Sequence, residues 1–235
     1  MFVGVDGCRA GWIAVSKTGG RGLEYKVFAK MNDLLEHYDE AQLVLVDIPI
    51  GLPWKKCPKR PCDVFARTKL RTRASSVFPV PCREATRAPN VDEARRRNMA
   101  ELGCSLSEQA WGICKKIAEV DELLLANTRA RAIVREVHPE VCFWSLNGEA
   151  PMTHAKRRPQ GIRERIDLLA GLEPGTQILV DEAMTNEFRR DVQADDVLDA
   201  LVAYVIARSG LGALKRLSGS PPSDEHGLPM EMLYF

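Results

Sequence analysis

Residues 43–48 form a nearly continuous apolar run with the sequence LVLVDI, and this run restricts the fold more than any other feature of the chain. Such runs are typical of strands that are buried on both faces, in sheets covered by helices on both sides. Pro49, Gly51 and Pro53 follow directly and stop the run. We therefore expect an α/β domain built around this central strand.

Three β-rich runs precede that strand, at residues 2–6, 12–16 and 23–29. Glycine-containing turns join them at hairpin distance, which predicts an antiparallel meander. A short helix is expected next, over residues 31–39, with Asn32 as its N-cap.

A long amphipathic helix is predicted over residues 106–126, since its apolar positions line one side of a helix. Ser105 and Glu108 have the spacing of a capping box at its start. A strand is expected over residues 133–138, because Pro139 then stops the run.

Residues 178–180 are a weaker strand candidate, and residues 195–208 carry the apolar stripe of a helix with Asp195 as its N-cap. This order of elements predicts an α/β fold with a mixed sheet flanked by helices, in which three antiparallel strands are followed by parallel strands. We expect one domain over residues 1–217, followed by a linker and an apolar tail over residues 218–235.

Basic residues are concentrated in an expected insertion after the fourth strand, over residues 50–104. Residues 55–97 contain 13 lysines and arginines against four acids, a net charge of +9, whereas the whole chain carries only +1. Like charges crowded into one segment favour either a polyanionic partner or a solvated loop.

Four aspartates stand at the ends of predicted elements. Asp6 and Asp47 end two strands, and the carboxyl ends of strands are where ligands gather in open α/β sheets. Asp196 and Asp199 are three residues apart and share one flank of the last helix. Mg²⁺ and Mn²⁺ prefer oxygen ligands, and a pair of such ions can assist phosphoryl transfer. Taken singly, each acid also has a structural explanation, as a turn residue, a strand terminator or a cap.

Glu136 and His138 alternate with Val137 on the predicted strand 133–138, so both polar side chains point to the same face. They are candidates for an outer metal ligand and a general acid or base. An exposed strand face explains them equally well.

The insertion offers guanidinium groups for bidentate contacts to phosphates. The candidates are Arg67, Arg71, Arg73 and Arg83. Aromatic side chains among them can stack on bases, as in single-strand sites; these are Trp54, Phe65 and Phe78. A small anionic substrate suits the same arginines, and the aromatics can instead anchor the insertion to the core.

Seven cysteines are scattered without the spacing of a small secreted domain, which indicates reduced thiols and a cytoplasmic protein. Zinc is not favoured at Cys8, Cys57, Cys62 and Cys82, since their spacing is wide and histidine is not near. We expect no membrane association, because no apolar run approaches the roughly 20 residues that cross a bilayer. Charged residues also interrupt any signal-peptide core at the N-terminus.

The chain resembles the predicted nucleases called domain of unknown function 429, within the ribonuclease-H-like superfamily. The matching stretches are GVDGCRAGW at 4–12, VDIPIGLP at 46–53, SSVFPVPCR at 75–83, EVHPE at 136–140 and DDVLDA at 195–200. The last helix also resembles the closing helix of Holliday-junction resolvases, which carries two aspartates at the same spacing. The resemblance implies that Asp6, Asp47, Asp196 and Asp199 are metal ligands.

The chain departs from ribonuclease H itself, which has a glutamate on the helix after the third strand. Glu36 is the only glutamate of the corresponding predicted helix, and we do not carry that role over to it. Resolvases lack this ligand too, so the departure is compatible with the family.

The leading hypothesis is a nuclease that uses two Mg²⁺ or Mn²⁺ ions to hydrolyse a nucleic acid, DNA or RNA. One alternative is a phosphotransferase or ATPase of the actin-like or sugar-kinase-like type. Another is a catalytically silent module that binds nucleic acid or protein through the insertion. The sequence leaves the oligomeric state open, a homodimer included.

Overall fold

The fold is described by a computed structural model that covers residues 1–19, 22–187 and 190–235. Its main sheet has five strands in the order β3-β2-β1-β4-β5. Their bounds are β1 Phe2–Cys8, β2 Gly11–Lys17, β3 Leu23–Phe28, β4 Leu43–Val46 and β5 Val134–Glu136. β2 pairs antiparallel with β1 and β3, whereas β4 pairs parallel with β1 and β5. The predicted mixed sheet, with antiparallel strands followed by parallel ones, is therefore confirmed.

The described residues form ten α-helices that flank this sheet. They are α1 Met31–His37, α2 Pro61–Leu70, α3 Arg83–Thr86, α4 Val91–Leu102, α5 Glu108–Ala126, α6 Thr128–Ile133, α7 Pro139–Leu146, α8 Pro159–Ala170, α9 Thr176–Asn186 and α10 Ala194–Ala207. None of these helices is both long enough and apolar enough to cross a membrane.

Two apolar cores cover the faces of the sheet, as the run at residues 43–48 predicts. All four residues of β4 are buried, because alternate side chains enter opposite cores. α10 fills one face and is buried almost all round, which is typical of a helix whose side chains are apolar on every side. α1 and α5 pack on the other face.

β1 and α10 lie backbone against backbone at Gly4. A Cβ at this position would lie 2.0 Å from the backbone nitrogen of Tyr204 and 2.2 Å from the carbonyl oxygen of Ala200. Only glycine permits this approach, so α10 packs directly on β1 because residue 4 has no side chain.

Two helix starts differ from the prediction. α1 begins at Met31 after Lys30, and Asn32 is not its cap. The free N–H of Met31 donates instead to Glu119 Oε1 of α5, at 2.5 Å, so a distant side chain replaces the local cap. α5 begins after Ser107, whose hydroxyl accepts from the N–H of Ala110. The predicted capping box at Ser105 is wrong.

Residues 178–180 belong to α9, so the predicted strand there is wrong. The buried positions of α9 are Thr176, Leu179, Val180 and Ala183, which is the spacing of one helix face. A three-residue apolar run alone does not distinguish a strand from a buried helix segment.

The predicted strand 133–138 is shorter in the structure, because α6 ends at Ile133 and His138 already caps α7. The N-cap of α10 is Gln193, so the cap predicted at Asp195 is also wrong. Gln193 forms a capping box with Asp196, and Asp195 lies in the first helical turn.

The tail returns to the domain. Leu228, Met230 and Met232 are buried, and β7 (Leu233–Tyr234) pairs with β6 (Lys215–Arg216). The segment expected to be a linker is anchored by Asp224, which accepts hydrogen bonds from the backbone N–H groups of residues 52, 226 and 228.

Candidate active site

A cavity of about 430 Å³ opens at the carboxyl ends of β1, β4 and β5. Every acid and the histidine predicted as catalytic line it: Asp6, Asp47, Glu136, His138, Asp196 and Asp199. We call this space the site cavity. The sheet and α10 supply its acidic side, and the insertion covers the opposite side with residues 75–78.

Asp6, Asp47 and Asp199 face one another without arginine partners among the contacts of the described residues. Burial raises the pKa of Asp6 well above its ordinary value, and the charges of Asp47 and Asp199 raise it further. Burial, opposed by Lys156 and assisted by Asp47, raises the pKa of Asp199 to about 7. Burial likewise raises the pKa of Asp47. The protein therefore brings together carboxylates that destabilise one another in their charged forms.

Asp196 lies at the edge of this group and has a second task. Its Oδ2 accepts a hydrogen bond from the N–H of Gln193 at 2.9 Å, as the glutamate of a capping box does. This bond directs one carboxylate oxygen to the start of α10. Asp196 also lines the site cavity, so its contribution there is more restricted than that of Asp199.

Lys156 supplies the positive charge nearest to the aspartates, and the sequence analysis missed it. Its Nζ lies 2.5 Å from Asp199 Oδ2 and 3.6 Å from Asp195 Oδ2. Burial acts to lower the pKa of Lys156, but the carboxylates of Asp199 and Asp6 outweigh it and raise that pKa. The available signal was the basic triplet at residues 156–158, in a stretch assigned only as a polar connection.

The loop that carries Lys156 is fixed by several contacts. Arg73 donates to the carbonyl oxygen of Thr153 at 2.8 Å, and Glu164 Oε1 accepts from the N–H of Thr153 at 2.7 Å. The backbone of Ala155 lies against Gly161, where a Cβ would come within 2.0 Å of the Ala155 carbonyl oxygen. These contacts therefore fix the backbone of the loop so that Lys156 lies next to the aspartates.

His138 contributes an uncommitted ring nitrogen to the site cavity. Its Nε2 lies 3.3 Å from the carbonyl oxygen of Ser76, while its Nδ1 is buried with no hydrogen-bond partner among the described residues. Buried polar atoms are normally paired, and unpaired ones in a cavity are candidates for ligand contacts. Glu140 Oε2 is a second such atom in the lining.

Glu136 lines the cavity and is also part of a second cluster, with Cys62 and Asp63. Ligand atoms of Cys62, Asp63 and Glu136 lie within 4.8 Å of one another, so this group could hold a metal ion. However, the buried guanidinium of Arg60 already donates to Asp63 Oδ1, at 3.0 Å, and to Glu136 Oε2. The N–H of Ile50 also donates to Glu136 Oε2, at 2.6 Å. Arginine therefore supplies the positive charge that an ion would bring.

The aspartate group provides the donor set that Mg²⁺ and Mn²⁺ prefer, since every ligand atom is a carboxylate oxygen. Asp6, Asp47 and Asp199 do not form a trio as close as the Cys62 cluster among the described residues. Their mutual repulsion, which Lys156 partly compensates, fits a divalent cation, provided that the Lys156 ammonium withdraws from Asp199.

The four arginines predicted to bind phosphates have different surroundings. Arg67 and Arg71 are exposed on the insertion. Arg73 lines the site cavity while it holds the Lys156 loop. Arg83 is 7% exposed and is paired internally, so the structure gives it a structural role instead of the predicted contact with phosphate.

Arg83 is the centre of a network that we call the Arg83 clasp, made of Arg83, Arg87, Asp121, Asp224 and Glu225. Its guanidinium contacts both carboxylate oxygens of Asp121, at 2.8 and 2.9 Å, and Asp224 Oδ2 at 2.5 Å. The clasp joins the insertion to α5 and to the tail.

The cysteines considered for zinc lie in different parts of the molecule. Cys8 is buried in the core on the α10 face, whereas Cys62 and Cys82 belong to two separate small clusters of the insertion. Cys57 is partly exposed, and its thiol contacts Met230.

Comparison with known protein families identifies the family of this chain. The family described as protein of unknown function DUF429 matches residues 4–223, which is most of the sequence. The chain belongs to the DUF429 family. No curated protein and no solved structure gives a match. The family match contains all of the site-cavity residues except Met232.

Proposed function

We propose that this DUF429 protein is a metal-dependent nuclease with a ribonuclease-H-like fold, which hydrolyses phosphodiester bonds with two Mg²⁺ or Mn²⁺ ions. The observation that carries the proposal is the convergence of Asp6, Asp47, Asp196 and Asp199 on one cavity. Three separate segments of the sequence supply these residues: β1, the end of β4, and α10. Unlike the acids of the Arg83 clasp, Asp6, Asp47 and Asp199 have no arginine partner among the contacts of the described residues.

The arrangement of the sheet supports the fold assignment. Three antiparallel strands come first and parallel strands follow, with β1 and β4 adjacent at the centre. Asp6 and the residue after β4, Asp47, therefore end neighbouring parallel strands. This is the placement that the resemblance to ribonuclease-H-like nucleases implies.

The residues of the site have distinct tasks in this mechanism. Asp6, Asp47 and Asp199 would hold the ions, with Asp196 contributing its remaining oxygen. Bound divalent ions supply an activated water and neutralise charge on the phosphate. His138 Nδ1 has no hydrogen-bond partner among the described residues and can exchange a proton with the reacting group. Lys156, once released from Asp199, offers its ammonium to a phosphate oxygen.

Cleavage of labelled nucleic acids tests the proposal. Single-stranded, duplex, hybrid and four-way-junction substrates are incubated with Mg²⁺, Mn²⁺ or chelator. The wild type is compared with Asp6→Asn and with Asp33→Asn, a matched change of an exposed aspartate on α1. We expect metal-dependent cleavage by the wild type and Asp33→Asn, and none by Asp6→Asn.

Other outcomes separate the alternatives. Equal cleavage by the wild type and Asp6→Asn would indicate a contaminating nuclease or a wrong site. Thermal stabilisation by nucleotides, without cleavage, would favour a phosphotransferase or ATPase. Nucleic-acid binding that survives Asp6→Asn, again without cleavage, would indicate a silent binding module.

All seven cysteines are free thiols, which supports our proposal of a reducing, cytoplasmic location.

A further inference from the structure

We infer that the substrate occupies the site cavity as a single strand, with one base against Phe78, and that an intact duplex does not fit. The inference rests on the proposed function and names the substrate class of the same site. It is carried by the shape and lining of the site cavity.

The insertion and the loop before α8 both contribute to the lining of the cavity. Ser75, Ser76, Val77 and Phe78 line it from the insertion, and Ala155, Lys156 and Arg157 line it from the loop before α8. The cavity volume of about 430 Å³ lies within the range of small-molecule pockets. The bases of a duplex are paired and stacked inside it, so only an unpaired nucleotide can place its base against a side chain of this lining.

Phe78 provides an aromatic surface within this lining. It is partly buried and packs against two apolar clusters of the protein, so its ring is held in place. It lines the cavity together with Arg73. An aromatic ring beside cationic groups is the usual arrangement for stacking an unpaired base while the phosphate is held nearby.

Charges in the lining suit a strand whose phosphate points toward the aspartates. Four cationic side chains line the cavity in addition to Arg60: Arg73, Lys116, Lys156 and Arg157. Arg157 is 74% exposed and reaches Asp195 at 3.1 Å, so it can turn to a phosphate at little cost. A base on Phe78 and a phosphate near Lys156 together account for both the aromatic and the charged lining.

Binding without metal tests the inference independently of catalysis. The probe is a fluorescein-labelled 12-nucleotide DNA strand of mixed sequence, alone or annealed to its complement, measured by fluorescence anisotropy in chelator. We expect the single strand to bind at least about tenfold more tightly than the duplex. Phe78→Leu should weaken single-strand binding about tenfold, because a stacked base is lost.

Phe235→Leu is the control, since Phe235 is 51% exposed at the end of the tail and does not line the cavity. It should leave binding unchanged. Thermal unfolding of both variants verifies that they are folded, and the leucine at position 78 keeps much of the apolar contact. Cleavage of the same probes with Mn²⁺ is measured in parallel.

The outcomes separate this inference from the proposed function. Selective single-strand binding with no cleavage of any probe would support the inference and count against the nuclease. Equal or tighter binding of the duplex, or cleavage of its interior as fast as that of the single strand, would overturn the inference and leave the nuclease standing. Equal losses of binding in Phe78→Leu and Phe235→Leu would also overturn it.

Discussion

The site cavity and the Arg83 clasp both gather buried carboxylates, but they balance the charge in opposite ways. In the clasp, Asp121 receives three hydrogen bonds from the guanidinium groups of Arg83 and Arg87, at 2.7 to 2.9 Å. In the cavity, four aspartates share Lys156, which contacts Asp199. The pKa values reflect this difference.

Burial acts to raise the pKa of Asp121, but the hydrogen bonds from Arg83 and Arg87 outweigh it and hold that pKa below its ordinary value. The pKa values of Asp6 and Asp199 are raised. Fully paired acids stabilise the fold, whereas acids that face one another retain the capacity to bind a cation. Charge balance, rather than burial, therefore separates Asp121 from Asp6 and Asp199.

Loss of the clasp should have the largest effect on the stability of the protein. Arg83→Met leaves the buried carboxylates of Asp121 and Asp224 with too little positive charge. We expect the free energy of unfolding to fall by about 3–5 kcal/mol. Chemical denaturation measures this. Arg96→Met is the control, because Arg96 is 71% exposed and pairs only at the surface. A loss no greater than that of the control would contradict a structural role for the clasp.

Lys156→Met should change two quantities, the stability of the metal-free protein and its affinity for Mn²⁺. The metal-free protein should lose about 2 kcal/mol, less than a fully buried pair, because Lys156 remains about one-third exposed. Mn²⁺ affinity should rise by about tenfold or more, since a competing charge near the ligands is gone. Isothermal titration calorimetry measures that affinity. Arg157→Met, which removes a more exposed cation of the same loop, should change it less. Weaker metal binding in Lys156→Met would show that Lys156 does not compete with the ion.

Asp6→Asn should stabilise the metal-free protein, whereas the loss of the clasp should destabilise it. An amide keeps the hydrogen bond that the N–H of Gly7 donates to Asp6 Oδ1 and removes one of the repelling charges. The metal-free protein should therefore become more stable, by about 1 kcal/mol. Differential scanning calorimetry with and without Mn²⁺ measures both this gain and the loss of metal stabilisation. A lower melting temperature than that of Asp33→Asn would mean that Asp6 is a structural acid.

The smallest expected effect is a pH dependence of the clasp. Arg87 contributes to the lowered pKa of Asp121, so this contribution to stability is complete above pH about 3.8 and is lost as the pH falls through the folded-state pKa. Arg87→Met should lower stability by at most about 1 kcal/mol at pH 7, since Arg87 is partly exposed. Urea titrations from pH 7 to pH 3 should find this difference shrinking in the most acidic samples. A difference that grows toward low pH would contradict the assignment.

The fold was largely predictable because its signals are periodic and local. The run at residues 43–48, the three strands joined by glycine turns, and the stripes of α5 and α10 follow directly from the sequence. The predictions were wrong where a tertiary contact determines the local structure. Glu119 replaces the local cap of α1 at Met31, and the surrounding core makes residues 178–180 helical.

The sequence predicted the acids of the site cavity together with His138 and Arg73, because the acids stand at the ends of elements that strand order brings together. Lys156 was missed because its place depends on contacts made by its loop with Arg73 and Gly161. Arg83 and Arg67 look alike within one basic stretch. Their difference depends on Asp121 and Asp224, which lie 38 and 141 residues away from Arg83 in the sequence.

The contact at Gly4 has a consequence for motion. Because the backbones of β1 and α10 touch there, the strand that carries Asp6 and the helix that carries Asp199 move as one rigid body. Their amides should exchange slowly with solvent, and relaxation experiments should find no millisecond exchange in either element. Any adjustment that admits a cation must then come from the rotation of side chains such as Lys156, while the framework between the acids stays fixed.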